Sequence, residues 1–200
     1  MKSAFIIFIF LAAGFTTTAQ KSFSEGYIVT LTNDTIKGKI KDYFPARFSI
    51  APKKIAFIDS SGIEKVYMPK DLSGYSKADI ANYLSVDIGN GRNFVKVEID
   101  GYISLLSIKG KGTSIMFAPT GTGGMHPVSG GSYETETFYL FKKQDNAYLE
   151  VTKTGFKEWV ASFVADNTKL KEMILNKELR YDDIEIIVKI YNKWKEQQLD

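Results

Sequence analysis

The chain has 200 residues, 26 Lys and Arg against 23 Asp and Glu, a single His and no Cys. Without Cys there can be no disulfide, no thiolate chemistry, no lipid-modified N-terminal Cys and no Cys-based zinc site. The charge is nearly balanced, +3 overall with both signs interspersed, and lacks the basic stripe that nucleic-acid binding needs.

Met1–Ala19 reads as a cleaved secretory signal peptide. Lys2 gives the positive start, Ala4–Phe15 is apolar, and Thr17 and Ala19 are the small residues before a cut at Gln20. The apolar run is well short of the roughly twenty residues that span a bilayer, and no later segment is longer. The mature chain is therefore expected to be soluble, in the periplasm or at the surface of a bacterium. About 180 residues then remain, enough for one compact domain that buries a core without disulfides. An aromatic content of 14 % suits strands.

Gly26–Lys41 reads as a β-hairpin. With Asn33-Asp34 as a two-residue loop, Leu31 faces Ile36, Val29 faces Gly38 and Tyr27 faces Ile40, which leaves Ile28 as a misfit. Asp42–Pro52 reads as a connection. Lys54–Met68 is a second hairpin turning at Asp59–Gly62, and two registers are open. Turn chemistry favours a three-residue loop with Gly62 at positive φ, whereas side-chain faces favour Ile55 opposite Met68 and Phe57 opposite Val66. Pro69–Ala81 reads as a link with a short helical turn. Tyr83–Ile88, Asn93–Ile99 and Tyr102–Ile108 follow as strands, with Asp100-Gly101 a tight turn between the last two.

Lys109–Thr137 is glycine-rich, with Gly110, Gly112, Gly121, Gly123, Gly124, Gly130 and Gly131, and reads as a long loop over 109–132. Its return strand is Glu136–Lys142, whose two apolar faces imply cover on both sides. Ala147–Val151 is a last short strand. From Thr152 the period changes to that of helices. Phe156, Trp159, Val160, Phe163 and Val164 form one stripe; Asn167 caps a second helix facing inward through Leu170, Met173 and Ile174. Asp182 or Asp183 caps a third, with Ile184, Ile187, Val188, Tyr191 and Trp194 inside and Lys189, Lys193, Lys195 and Glu196 outside. The expected fold is α+β: an antiparallel meander of hairpins, open or barrel-like, over 20–151, with three helices over 152–200 packed on it.

No residue constellation names a chemistry. His126 near Ser129 or Ser132 could act as a base, but it reads as a solvated loop histidine. One His and no Cys leave too few ligands for zinc. Gly110-Lys111-Gly112 fails the phosphate-loop spacing because position 105 is Leu105, and the dinucleotide pattern from Gly121 meets His126 where its third glycine belongs. Glu134 and Glu136 share a strand face as a carboxylate pair could, yet they read as solvated charges. Asp182-Asp183 suits a helix N-terminus. A C-terminal helix lying on a membrane is the weaker alternative to packing on the sheet. Asn33-Asp34-Thr35 matches a glycosylation acceptor.

No catalytic, cofactor or metal residue is therefore assigned. Gly121, Gly123, Gly124, His126, Gly130 and Gly131 are the candidate partner-binding loop. A leader ending in Ala-Gln, GYIVTLTNDTIKGKI, PKDLSGY and YDDIEIIVKIYNKW, with Tyr191-Asn192, together resemble a family of small exported bacterial proteins without assigned function. That resemblance implies export and a β-then-α layout, and transfers no catalytic residue. The expected function is non-catalytic binding of a protein partner or cell-envelope component. The alternatives are an extracytoplasmic hydrolase using carboxylates and a peripheral structural protein of the envelope.

Overall fold

The structure is a computed structural model that describes residues 23–43, 52–78, 80–89, 91–119, 124–145 and 147–198. The signal-peptide segment and most of the Asp42–Pro52 connection lie outside the described residues. Among the described residues ten strands come first: β1 Ser24–Thr30, β2 Thr35–Tyr43, β3 Lys54–Ile58, β4 Glu64–Tyr67, β5 Leu72–Lys77, β6 Ala81–Asp87, β7 Arg92–Ile99, β8 Ile103–Pro119, β9 Met125–Lys142 and β10 Ala147–Val151. Three helices follow: α1 Phe156–Phe163, α2 Thr168–Leu175 and α3 Ile184–Glu196. The β-then-α order is the expected α+β fold. All the strands join one antiparallel sheet in the order β10-β9-β8-β7-β6-β5-β1-β2-β3-β4.

That order is not a plain meander, because β5 lies beside β1 and not beside β4. Laid flat, β4 and β5 would stand four strand spacings apart, about 19 Å. The link between them is only Met68–Asp71, and Pro69–Asp71 is a 3-10 turn rising about 2 Å per residue. The sheet therefore has to roll. The inside of the roll is a cluster drawn from five strands: Ile28, Ile40, Ile55, Phe57, Leu72, Tyr75 and Phe94. The link is pinned in place, with the Met68 N–H donating to the Asp71 carboxylate at 2.8 Å and the Ser85 hydroxyl donating to the Pro69 carbonyl. The sheet still has two ends, β4 and β10, so it is a roll and not a barrel.

Both opening hairpins use the same turn. In the first, Thr30 N–H donates to the Asp34 carbonyl at 2.9 Å, which leaves Leu31-Thr32-Asn33 as a three-residue loop with Asn33 at φ 66. Ile28 pairs with Ile36 and Gly26 with Gly38. This corrects the two-residue loop by three positions and inverts the inner face of β1. Ile28, the misfit, is core at 1 % exposure, while Leu31 and Tyr27 are exposed. In the second hairpin Ile58 pairs with Glu64 and Gly62 sits at φ 76. The turn chemistry wins there, and Val66 on the edge strand and Met68 just after it are left exposed. A type I turn closed by one residue at positive φ matches strand twist, and Asn or Gly supplies that residue at least cost.

Two more expectations are corrected. Leu72–Lys77, read as part of a link, is a strand between β1 and β6. The described part of Lys109–Thr137 is almost all strand and not a loop: β8 and β9 pair from Ile103↔Lys142 to Pro119↔Met125, with one bulge between Thr113 and Ile115. β7 stops pairing at Ser107 and β10 at Phe138. Beyond those points the two strands run on as a two-stranded arm, which eleven residues at 3.3 Å each make about 36 Å long.

The three helices cover one end of the sheet. Ile103, Leu105, Leu140 and Val151 from the strands meet Val160, Val164, Leu170, Ile174, Ile187, Val188 and Tyr191 in a single cluster. On the other side of β9, Tyr139 joins Val86, Val95 and Leu106. The two apolar faces read from ETFYLFK are thus both buried. Asn167 caps α2 as expected, its side chain accepting from Leu170 N–H at 3.0 Å. Asp183 is the N-cap residue of α3, but its carboxylate turns back to Arg180 N–H at 2.9 Å. Trp159 is half-exposed, so the α1 stripe is narrower than its spacing implied.

The turn between β7 and β8 is also longer than Asp100-Gly101 alone, since Ile99 pairs with Leu105 after a register shift. The reason comes from α3. Buried Asn192 accepts from Ile103 N–H at 2.9 Å and donates to the Ile103 carbonyl at 2.9 Å. A side-chain amide here takes the part of a neighbouring strand. Gly101 lies directly against that amide, and a Cβ at position 101 would overlap it.

Candidate functional site

An apolar groove lies between α2 and α3. It measures about 670 Å³, with Leu170, Met173, Ile190 and Trp194 as its floor. Lys169, Lys193 and Gln197 form the rim, and Asp166, Asn167 and Thr168 close one end. Its geometry follows from helix spacing. Leu170, Met173 and Ile174 share the inner face of α2, and Ile190 with Trp194 sits one turn apart on α3.

One ion-pair cluster fixes the two helices at the closed end. Asp166, in the turn between α1 and α2, accepts from the Tyr191 hydroxyl at 2.8 Å. Lys195 Nζ reaches the same carboxylate at 2.8 Å and lies 4.9 Å from the Trp194 ring centre. Lys195 is therefore not on the outer face, where its spacing placed it. Burial opposes the charged form of Asp166, but the hydrogen bonds from Lys195 and Tyr191 and the charge of Lys195 outweigh it and hold the carboxyl below its ordinary range. Burial first, and then the bond to Asp166, push the Tyr191 phenol upward.

A depressed Asp166 contributes stability that is present above its unfolded pKa, near 4, and that is lost as pH falls through the folded value. Because the group is 40 % exposed in its side chain, screening limits the effect to about 1 kcal/mol or less. The expected result is that Asp166→Asn lowers the thermal midpoint at pH 7 and that the gap to the unsubstituted protein closes as pH falls below 4. Thermal melts at stepped pH measure this directly.

The residues singled out from sequence do not converge. Gly121 and Gly123 lie outside the described residues. Gly124 and His126 are exposed at the tip of the arm, and Gly130 and Gly131 are in β9. Ser132 lies six residues along the strand from His126, about 20 Å, and cannot share a proton with it. The Ser129 side chain is outside those described. Glu134 and Glu136 are exposed, in register with Lys111 and Lys109. Among the described residues no three His, Asp or Glu side chains gather as a metal would require. No helix of the described residues is long and apolar enough to cross a membrane.

Asp166, Tyr191 and Lys195 were missed as a group. Tyr191 and Lys195 are one helical turn apart, but Asp166 sits in a loop whose sequence carries no sign of its partners. A scan against protein-family models, a search of curated proteins and a search of solved structures each return no match.

Proposed function

We propose that this chain is an exported, non-catalytic binding protein whose α2–α3 groove takes an anionic amphiphile of the cell envelope. The observation that carries this reading is the pairing of an apolar floor with a lysine rim in one groove of ligand size. Leu170, Met173, Ile190 and Trp194 suit an acyl or aromatic body. Lys169 and Lys193 suit a carboxylate or phosphate head held at the mouth. Asp166 is already engaged by Lys195 and Tyr191, so it positions the helices and is not available as a base. Export, a periplasmic or surface location and kinship with uncharacterised exported bacterial proteins belong to the same proposal, supported by the leader-like start of the sequence.

Trp194 supplies the test. In a Trp159→Phe background it is the remaining tryptophan. Titration with palmitate and with a lysophosphatidylglycerol is expected to shift its emission to shorter wavelength and to saturate at one ligand per chain. Preference between the two probes separates a carboxylate from a phosphate head. Met173→Trp, monitored by calorimetry, should abolish binding by filling the floor. Lys193→Glu should weaken it about tenfold, since reversing one partly screened charge is worth about 1.4 kcal/mol. Absence of a saturable change with both probes would refute the reading.

A further inference from the structure

We infer that the β8–β9 arm is an assembly element, pairing laterally with the arm of a second copy of this chain, the β8 edge of one against the β9 edge of the next. This stands apart from the ligand groove, which lies between the helices.

From Ile108↔Thr137 to Pro119↔Met125 the arm strands pair with each other and with no third described strand. A two-stranded ribbon is marginal in water, and each open edge is a template for another strand. The arm also presents large apolar surface, with Met116 at 63 % and Met125 at 70 % exposure and Tyr133 also exposed. Pro127 interrupts donors near the tip, and Val128–Thr137 contains no further proline.

Charge identifies the occupant. At the base of the arm β8 carries Lys109 and Lys111 while β9 carries Glu134 and Glu136, in register as Lys109↔Glu136 and Lys111↔Glu134. Lys109 and Glu136 are 3.8 Å apart within the arm. The neighbouring β9 of a second arm pointing the same way is antiparallel to β8 and sets glutamates against these lysines again. Like edges aligned at this depth would oppose lysine to lysine or glutamate to glutamate, which is unfavourable. Between the two charged ends, residues 112–133 contain no Asp, Glu, Lys or Arg, so nothing repels along the rest of the contact. Contact between unlike edges is heterologous and leads to a closed ring or an open filament.

Two charge-uniform arms test this in the full-length protein. In one variant Lys109 and Lys111 become Glu, so both edges are acidic; in the other Glu134 and Glu136 become Lys, so both are basic. Analytical ultracentrifugation of the unsubstituted chain is expected to show concentration-dependent association that weakens with salt. Each variant alone should associate about tenfold more weakly or worse, and an equimolar mixture should recover association by alternating the two. Recovery on mixing separates edge pairing from a merely damaged arm. A monomeric unsubstituted chain at all concentrations, variants that associate like it, or a mixture no stronger than its parts would each overturn the proposal.

Discussion

Replacing Asn192 by leucine is expected to cost about 3 to 5 kcal/mol, because it strips both partners from the backbone of Ile103. That residue is fully buried, and its N–H and carbonyl are met by the two ends of one side-chain amide. A buried backbone group left without a partner costs about 1–3 kcal/mol. For a chain of this size the thermal midpoint should fall by about 10 °C. Asn192→Asp gives a sharper reading. At neutral pH its carboxylate meets the Ile103 carbonyl as a second acceptor, so the variant should be at least as unstable as the leucine. A protonated Asp can donate, so that variant should regain stability as pH falls, the behaviour of a group whose folded pKa is raised. Gly101→Ala should be damaging in the natural background and milder when Asn192 is shortened to Ala, since the added methyl meets the amide and nothing else nearby is tighter. Melts across pH 4 to 8 check all of these. An Asn192→Leu protein that loses less than about 1 kcal/mol would mean that water reaches Ile103.

The same contact shows what could be read from the residues and what could not. Tyr191 and Asn192 stood out as a pair, yet nothing local says that an amide on α3 completes a strand 89 residues earlier. Helix faces were legible because one stripe of Ile184, Ile187, Val188 and Tyr191 has a single solution. The inner face of β1 was not, because Tyr27, Val29 and Leu31 offer more apolar area than Ile28, and turn geometry overrode them. Ser-Gly-Tyr-Ser in β5 is a poor strand sequence by propensity, and it is held in place by pairing with β1 and β6 on either side. The glycines of the arm hid a ribbon for the same reason: propensity speaks of one strand, and ladder partners speak of two. The groove was half visible, since Leu170, Met173 and Trp194 were assigned inward, but the distance between their helices depends on Asp166, which only tertiary structure reveals.

The buried charge in the roll leads to the other large effect. Asp42, one residue before the end of β2, is buried in the roll, where its carboxylate accepts from Tyr75 Oη at 3.0 Å and from Lys77 Nζ at 2.8 Å. The side chains of Asp42 and Lys77 are 6 % and 17 % exposed. Tyr75 stacks on Tyr83 at 4.6 Å between ring centres, and burial pushes the Tyr83 phenol up to about 12. Removing one partner of such a pair costs about 3–5 kcal/mol, because the other remains desolvated and uncompensated. The two halves should not be equal. Lys77 has more access to water and a flexible stem, so Asp42→Ala lets the ammonium retreat outward, whereas Lys77→Met leaves the better-buried carboxylate behind. Lys77→Met is therefore expected to be the more damaging, with Tyr75→Phe costing only about 1 kcal/mol. Replacing all three, as Asp42→Leu, Lys77→Met and Tyr75→Phe, should recover most of the loss, since apolar packing of similar volume removes the desolvation cost along with the attraction. Urea titrations of the single and triple variants measure the coupling. If the triple variant is as unstable as the sum of the singles, the three groups do not act as one network, and the roll is held shut by its apolar cluster alone.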